Sequence, residues 1–257
     1  MTHDEARIYL IREMIHERGE DEKIEIPAGA EEQKKLLRAL FNVRPPMRAP
    51  ERFLSVQNEY LREEIRSRGI TDSDSLCMND DGMCIWQGDI TTLRCDAIVN
   101  AANSQLLGCF YPNHGCIDNA IHTFAGVELR LECERIMSKQ GHEEAVGDAK
   151  ITSAYCLPCR YVIHTVGPMV FGAPGARERE QLSSCYRACL ETAVRHSCKN
   201  IAFCCISTGE FHFPNREAAK IAVNTVVEYK ERTKSKIEVI FNVWKDIDRE
   251  IYGELLR

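Results

Sequence analysis

The sequence predicts an α/β/α sandwich preceded by a helical extension, and three observations lead there. From Met83 onward, short segments that are apolar along their whole length recur, rich in β-branched and aromatic residues. Helical patterns separate them, and residues 1–80 carry helical periodicity alone. A strand that is apolar on both faces has to be covered on both, as in sheets layered between helices.

In the extension, Ile8, Ile11 and Ile15 fall on one helical face with Leu10 and Met14 beside them. Leu36, Leu37, Leu40 and Phe41 make a second stripe, ended by Pro45-Pro46. A third helix starts after Pro50 and runs through Phe53, Leu54, Tyr60, Leu61 and Ile65 to Gly69. Three short helices with prolines between them suit a cap packed on the rest better than an independent unit. Asp72-Ser73-Asp74-Ser75 reads as a linker, which puts the boundaries at 1–80 for the extension and 81–257 for the α/β domain. Strands are expected at 83–87, 97–100, 161–166, 201–207 and 237–243, and helices at 116–139, 178–198, 214–231 and 246–256. Ligands of such sheets bind beyond the carboxyl ends of the strands.

Composition narrows the function. Lys and Arg number 33 against 39 Asp and Glu, for a net charge of -6 in 257 residues. A mildly acidic chain without a lysine-rich block is a poor candidate for tracking a nucleic-acid backbone. No apolar run reaches the roughly 20 residues that cross a bilayer, and the charged N-terminus lacks a signal peptide's apolar centre. A cytoplasmic monomer with a small ligand is the expectation; anions remain admissible because backbone amides bind phosphate without net positive charge. Thirteen cysteines without a secretion signal argue against a disulfide framework; most read as small apolar core residues, with a few available for metal.

Four loops, each after an expected strand, carry the chemistry. In Gly88-Asp89-Ile90-Thr91, Asp89 either accepts from an amino group such as adenine's exocyclic amine or caps a turn. In Asn100-Ala101-Ala102-Asn103-Ser104, asparagine offers the donor and acceptor that ribose hydroxyls need, or it forms a turn. Gly108 to Cys116 places Cys109, His114 and Cys116 within eight residues of a Gly/Pro-containing loop. Two soft thiolates and an imidazole suit zinc, and three protein donors leave the open position of a catalytic ion. The C-x4-H-x-C spacing is not a common finger spacing, so coincidence stays open. Asp118 follows in the first turn of the next helix, where amide dipoles favour its ionised form, as a general base or a cap. In the fourth loop, Ser207 to Pro214, hydroxyls and backbone N–H groups suit phosphate oxygens, and Phe211 or Phe213 suits stacking. Glu210 is out of place in an anion cradle unless it points away. His122 and His164 read as hydrogen-bonded structural histidines, the Cys156/Cys159 pair as a weak metal or redox signal, and Trp244 as a neighbour of the Asp89 region.

Taken in this order, the loops resemble the macrodomain family, whose members bind ADP-ribose. The segments that match are GDIT at 88–91, DAIVNAAN at 96–103, CIDNAIHTFAG at 116–126, GDAKIT at 147–152, YVIHTVGP at 161–168 and STGEFHFP at 207–214. The resemblance is greatest to the zinc-containing macrodomains described as protein-ADP-ribose hydrolases, which share the GC-x4-H-x-C insertion, STGEF and a helical N-terminal extension. It implies a three-layer α/β/α macrodomain with a central mixed sheet. It further implies that Asp89 and Ile90 hold adenine, that Asn103 holds the distal ribose, and that Cys109, His114 and Cys116 bind one Zn2+. Cys116, Ile117 and Asp118 would line the diphosphate and distal ribose, with Ser207, Thr208, Gly209, Glu210 and Phe211 as the second phosphate loop. Asp118 and Asn103 become the catalytic pair, and the expected reaction is zinc-dependent removal of mono-ADP-ribose from acidic protein side chains. The rival readings are a non-catalytic ADP-ribose reader and an O-acyl-ADP-ribose deacylase.

Overall fold

The computed structural model describes residues 1–20 and 23–256. Asp21, Glu22 and Arg257 lie outside it. Three helices come first: α1 (His3–Glu17), α2 (Ala30–Val43) and α3 (Glu51–Ser67). Thr2 caps α1 through the Glu5 amide while the Glu5 carboxylate takes the Thr2 N–H, satisfying donors that a helix start leaves open. The apolar stripes of the three helices face one another. Leu10, Ile11, Leu37 and Leu61 are almost fully buried, each contributing about 2 kcal/mol. Ile8 sits partly buried at the flank, and Ala6, Leu10, Ile11, Met14 and Ile15 form the inner face. This small core takes in Val127 and Cys156 of the α/β domain, so the extension packs on that domain through shared apolar contacts.

The α/β part comprises β1 (Thr71–Asp72), β2 (Met83–Gln87), β3 (Leu93–Arg94), β4 (Ala97–Ala102), α4 (Ile117–Ala125) and α5 (Val127–Gln140). It continues with β5 (Ala149–Ser153), β6 (Tyr161–Val166), α6 (Ala176–Arg195), β7 (Asn200–Phe203), α7 (Asn215–Thr233), β8 (Glu238–Val243) and α8 (Asp246–Leu255). The main sheet runs β2-β8-β7-β4-β6-β5. Its first five strands are mutually parallel and β5 is antiparallel to β6, so the sheet is mixed. Ile98, Val99, Val162, Ile163, Ala202 and Ile240 are fully buried between the helical layers.

Four expectations are corrected. The 72–75 segment is no linker: Asp72 pairs with Arg94 in the β1–β3 ladder, and Ser73–Ser75 close a 3-10 turn with Ser73 buried. The helix expected over 116–139 is two helices, because Gly126 adopts φ 94°, a conformation that breaks the ladder, and a Cβ there would meet the Gln57 amide at 2.6 Å. The strand expected at 201–207 stops at Phe203; Cys204 and Ile206 remain buried as loop residues, so their apolar character reports packing rather than pairing. Strand β4, conversely, continues through Ala102, and β5 carries no apolar run at all.

Candidate functional site

The loops that follow β2, β4 and β7 all leave from carboxyl ends of parallel strands, and β4 and β7 are neighbours in the sheet. Successive connections depart to opposite sides at that point, the place where a crevice opens in such sheets. Residues 103–116, after β4, and 204–214, after β7, therefore meet across one end of the domain.

Cys109, His114 and Cys116 come together there, with donor atoms all within 4.8 Å of one another. The Cys109 Sγ lies 3.6 Å from His114 Nδ1. Cys116 is the N-cap of α4, where its sulfur accepts the Asn119 N–H at 3.4 Å. The loop reaches this shape through three left-handed residues, Leu106 (φ 58°), Gly108 (φ 79°) and Asn113 (φ 55°). A Cβ on Gly108 would also come within 2.7 Å of the His122 ring, so only glycine fits. All three donors are half-buried, and burial pushes the Cys116 thiol up to about 12. A bound cation reverses that preference by displacing the thiol proton. Two thiols and an imidazole at this separation are a chemically sound donor set for a tetrahedral Zn2+. Glu210 approaches from the β7 side: its Oε1 is 3.6 Å from the other ring nitrogen of His114, Nε2. Its carboxylate thus points at the histidine and away from the turn it belongs to.

Asp118, in the first turn of α4, is buried. Its Oδ1 accepts the Asn100 amide at 2.8 Å and its Oδ2 faces the Asn103 amide at 3.3 Å. Desolvation outweighs the Asn100 hydrogen bond and the Arg130 charge, so the carboxyl is pushed up to about 6 and not below its ordinary value. Behind it, the Asn100 Nδ2 also contacts His164 Nδ1 at 3.1 Å, and His164 Nε2 meets the Thr152 hydroxyl at 3.0 Å. Burial depresses His164 to about 3, which keeps this chain neutral. Asn103 additionally donates to the Gly108 carbonyl at 3.1 Å, joining the loop of Cys109 and His114 to the carboxylate.

In the 207–214 turn, Phe213 N–H bonds the Ser207 carbonyl and His212 N–H the Gly209 carbonyl. Ser207 is left-handed at φ 64°, and its buried hydroxyl has no partner. Among the described hydrogen bonds the N–H groups of Gly209, Glu210 and Phe211 take no internal acceptor. Phe213 is fully buried in the core and so is not available for stacking; Phe211 is half-exposed. Asp89 caps the 3-10 turn Ile90–Thr92, accepting Thr91 N–H at 2.9 Å and Thr91 Oγ1 at 2.6 Å, and it pairs with Arg68 of α3. Ile90 is buried beneath it. Trp244 stands exposed at the same sheet end, one residue past β8. Cys156 and Cys159 are separately buried, with the Cys156 thiol on Asn58 Oδ1 at 3.0 Å. All thirteen cysteines are unpaired.

Sequence reasoning did not single out Arg38, Asn42, Arg68, Asn119 or Arg130. Arg38 bonds Asn119 and the His114 carbonyl, and Arg130 bonds the carbonyls of Leu107, Phe41 and Arg44. Each acts on a partner far away in sequence, and an arginine on an exposed-looking helical face gives no local signal of it. Among the described residues no helix is long and apolar enough to cross a membrane.

Residues 99–222 match the Macro domain family model. A protein-ADP-ribose hydrolase of Treponema medium is 49% identical over 260 residues, covering 100% of both chains. The Oceanobacillus iheyensis macrodomain with ADP is 36% identical at a TM-score of 0.63, covering 70% of this chain and 93% of that one. The Trypanosoma brucei macrodomain in complex with ADP-ribose is 26% identical at 0.66, covering 85% and 95%.

Proposed function

Because the chain belongs to the Macro domain family, we propose that it hydrolyses protein-linked ADP-ribose: it removes mono-ADP-ribose from modified, acidic side chains and releases ADP-ribose. The observation that carries this reading is the meeting of a buried carboxyl, Asp118, with the Cys109–His114–Cys116 donor set through the shared residues Asn103 and Gly108. A module that only binds needs neither.

Asp89 and Ile90 receive the adenine end, with Trp244 beside them. The free N–H groups of Gly209, Glu210 and Phe211, with the unpartnered Ser207 hydroxyl, receive the diphosphate. Cys116, Ile117 and Asp118 border the diphosphate and distal ribose from α4, and Thr208 from the facing turn. Cys109, His114 and Cys116 would hold one Zn2+, which when bound supplies a Lewis acid with a free coordination position beside the sugar. Asp118, ionised above about pH 6, takes the proton of the attacking water, and Asn100 and Asn103 fix its two oxygens for that task. Asn103 also presents its amide to a ribose hydroxyl. Glu210 would orient His114 by accepting from Nε2 once Nδ1 is committed to the metal.

Release of ADP-ribose from a mono-ADP-ribosylated protein, followed with and without a chelator, tests the reading. The expected result is turnover lost on metal removal and restored by Zn2+. Turnover that survives chelation and the Cys116→Ser change rejects the metal chemistry. Tight ADP-ribose binding without turnover leaves a reader, and preference for O-acyl-ADP-ribose over the protein leaves the deacylase.

A further inference from the structure

We propose that the N-terminal extension is a working part of the metal-loop site: Arg38 and Asn42 of α2 hold residues 109–116 in the shape that makes Cys109, His114 and Cys116 converge. The proposal rests on the reading of those three residues as metal donors.

The loop has almost nothing of its own to hold it. No strand or helix spans residues 109–116, and within them the backbone hydrogen bond from His114 N–H to the Tyr111 carbonyl is 3.2 Å long. Side chains rooted elsewhere take three of its polar backbone groups. The Asn42 Oδ1 accepts the Asn113 N–H at 2.9 Å, at a residue whose left-handed φ is otherwise disfavoured. The Arg38 Nη2 donates to the His114 carbonyl at 3.0 Å. Asn119 Nδ2 donates to the Tyr111 carbonyl at 3.0 Å, while its own Oδ1 is gripped by Arg38 through Nη2 at 2.8 Å and Nε at 3.1 Å.

These anchors are themselves rigid. Asn119 and Asn42 are fully buried, and the Asn42 Nδ2 is fixed on Thr123 of α4 at 3.0 Å. Arg38 is half-buried on α2, where it faces Asn119 of α4. One guanidinium therefore fixes the carbonyl of one donor residue and orients the Asn119 side-chain amide that holds the Tyr111 carbonyl, while the backbone N–H of the same Asn119 bonds the sulfur of Cys116. A loop held in this way loses little further freedom on taking up a cation. The extension thus does more than add a small apolar core: it reaches 71 and 81 residues along the chain to pre-form the site.

The test uses the full-length protein, with Zn2+ affinity read by competition against a chromophoric chelator. Hydrogen exchange at the Asn113 and His114 amides is read in metal-free protein. For Arg38→Gln, both amides should exchange at least about 10-fold faster while peptides of α1, α3 and the central sheet keep their protection. Zn2+ affinity should fall about 10- to 100-fold, as it does when outer-shell partners are removed. Asn42→Ala should accelerate Asn113 most. Arg38→Lys, which keeps the charge but not the paired donors, should lie between and serves if Arg38→Gln does not fold. Unchanged loop exchange and unchanged Zn2+ affinity in folded Arg38→Gln and Asn42→Ala would overturn the proposal and leave the metal reading standing. If the wild-type protein takes up no Zn2+, the metal reading falls, and the exchange rates alone decide whether α2 holds the loop.

Discussion

Two cysteine–histidine clusters flank helix α4, and they have different fates. Cys109, His114 and Cys116 are half-buried at a loop, whereas His122, Cys133 and His164 are buried; in both sets the donor atoms lie within 4.8 Å of one another. Proximity of donors therefore does not distinguish them. What does is access, together with the commitment of His164. His164 spends its two ring nitrogens on Asn100 and Thr152, and the Cys133 sulfur lies 3.8 Å from the same ring. His122 is sealed under Gly108, with burial holding it well below its ordinary value. The outer set is only half-buried, with Glu210 on the far side of its imidazole. The same residue types frame the carboxylate in one place and offer an open donor set in the other.

The largest effect expected from separating the two is on metal. Cys109→Ser or His114→Ala should take purified protein from one equivalent of Zn2+ to near none, while Cys133→Ser leaves the stoichiometry at one. A second equivalent that vanishes with Cys133 would collapse the distinction. Next comes Asp118→Asn, which should lower turnover by about 10²- to 10⁴-fold, the usual worth of a general base. Its stability should move the other way. The Asp118 pKa is raised from 3.8 to about 6 in the fold, so the folded state binds the proton more tightly. Wild-type stability then falls as pH rises from about 4 through about 6, by up to about 3 kcal/mol. Thermal melts at pH 4.5 and 7.5 should show this slope in the wild type and not in Asp118→Asn. Turnover should rise over the same interval as the carboxylate forms. His164→Leu removes the acceptor behind Asn100 and should cost about 1–3 kcal/mol of stability with metal content unchanged. The smallest effect is that of Glu210→Gln: Zn2+ affinity lower by about 10-fold, read with the same chelator competition.

The contrast also explains what was legible before the structure. The five parallel strands announced themselves because strands buried on both faces are apolar throughout, as in Ile98-Val99 and Val162-Ile163. Strand β5, Ala-Lys-Ile-Thr-Ser, lies at the sheet edge with most of its residues only partly buried, so no apolar run marked it. Gly126 was invisible as a break because glycine is tolerated inside helical patterns, and the close Gln57 that fixes it comes from α3. Asp118 was placed correctly at the start of a helix, yet the inference that the dipole sets its charge failed because burial is the larger effect.

By itself, the amino-acid order determined the layered architecture, the extension's helices and the close spacing of Cys109, His114, Cys116 and Asp118, since each of these is written in periodicity or in residues a few positions apart. The tertiary structure alone decided which groups hold them. Arg38, Asn42, Asn100 and Glu210 act across the fold, from other helices, strands and loops, and a polar side chain shows its partner only when the chain has folded back on itself and excluded the water it would otherwise bind.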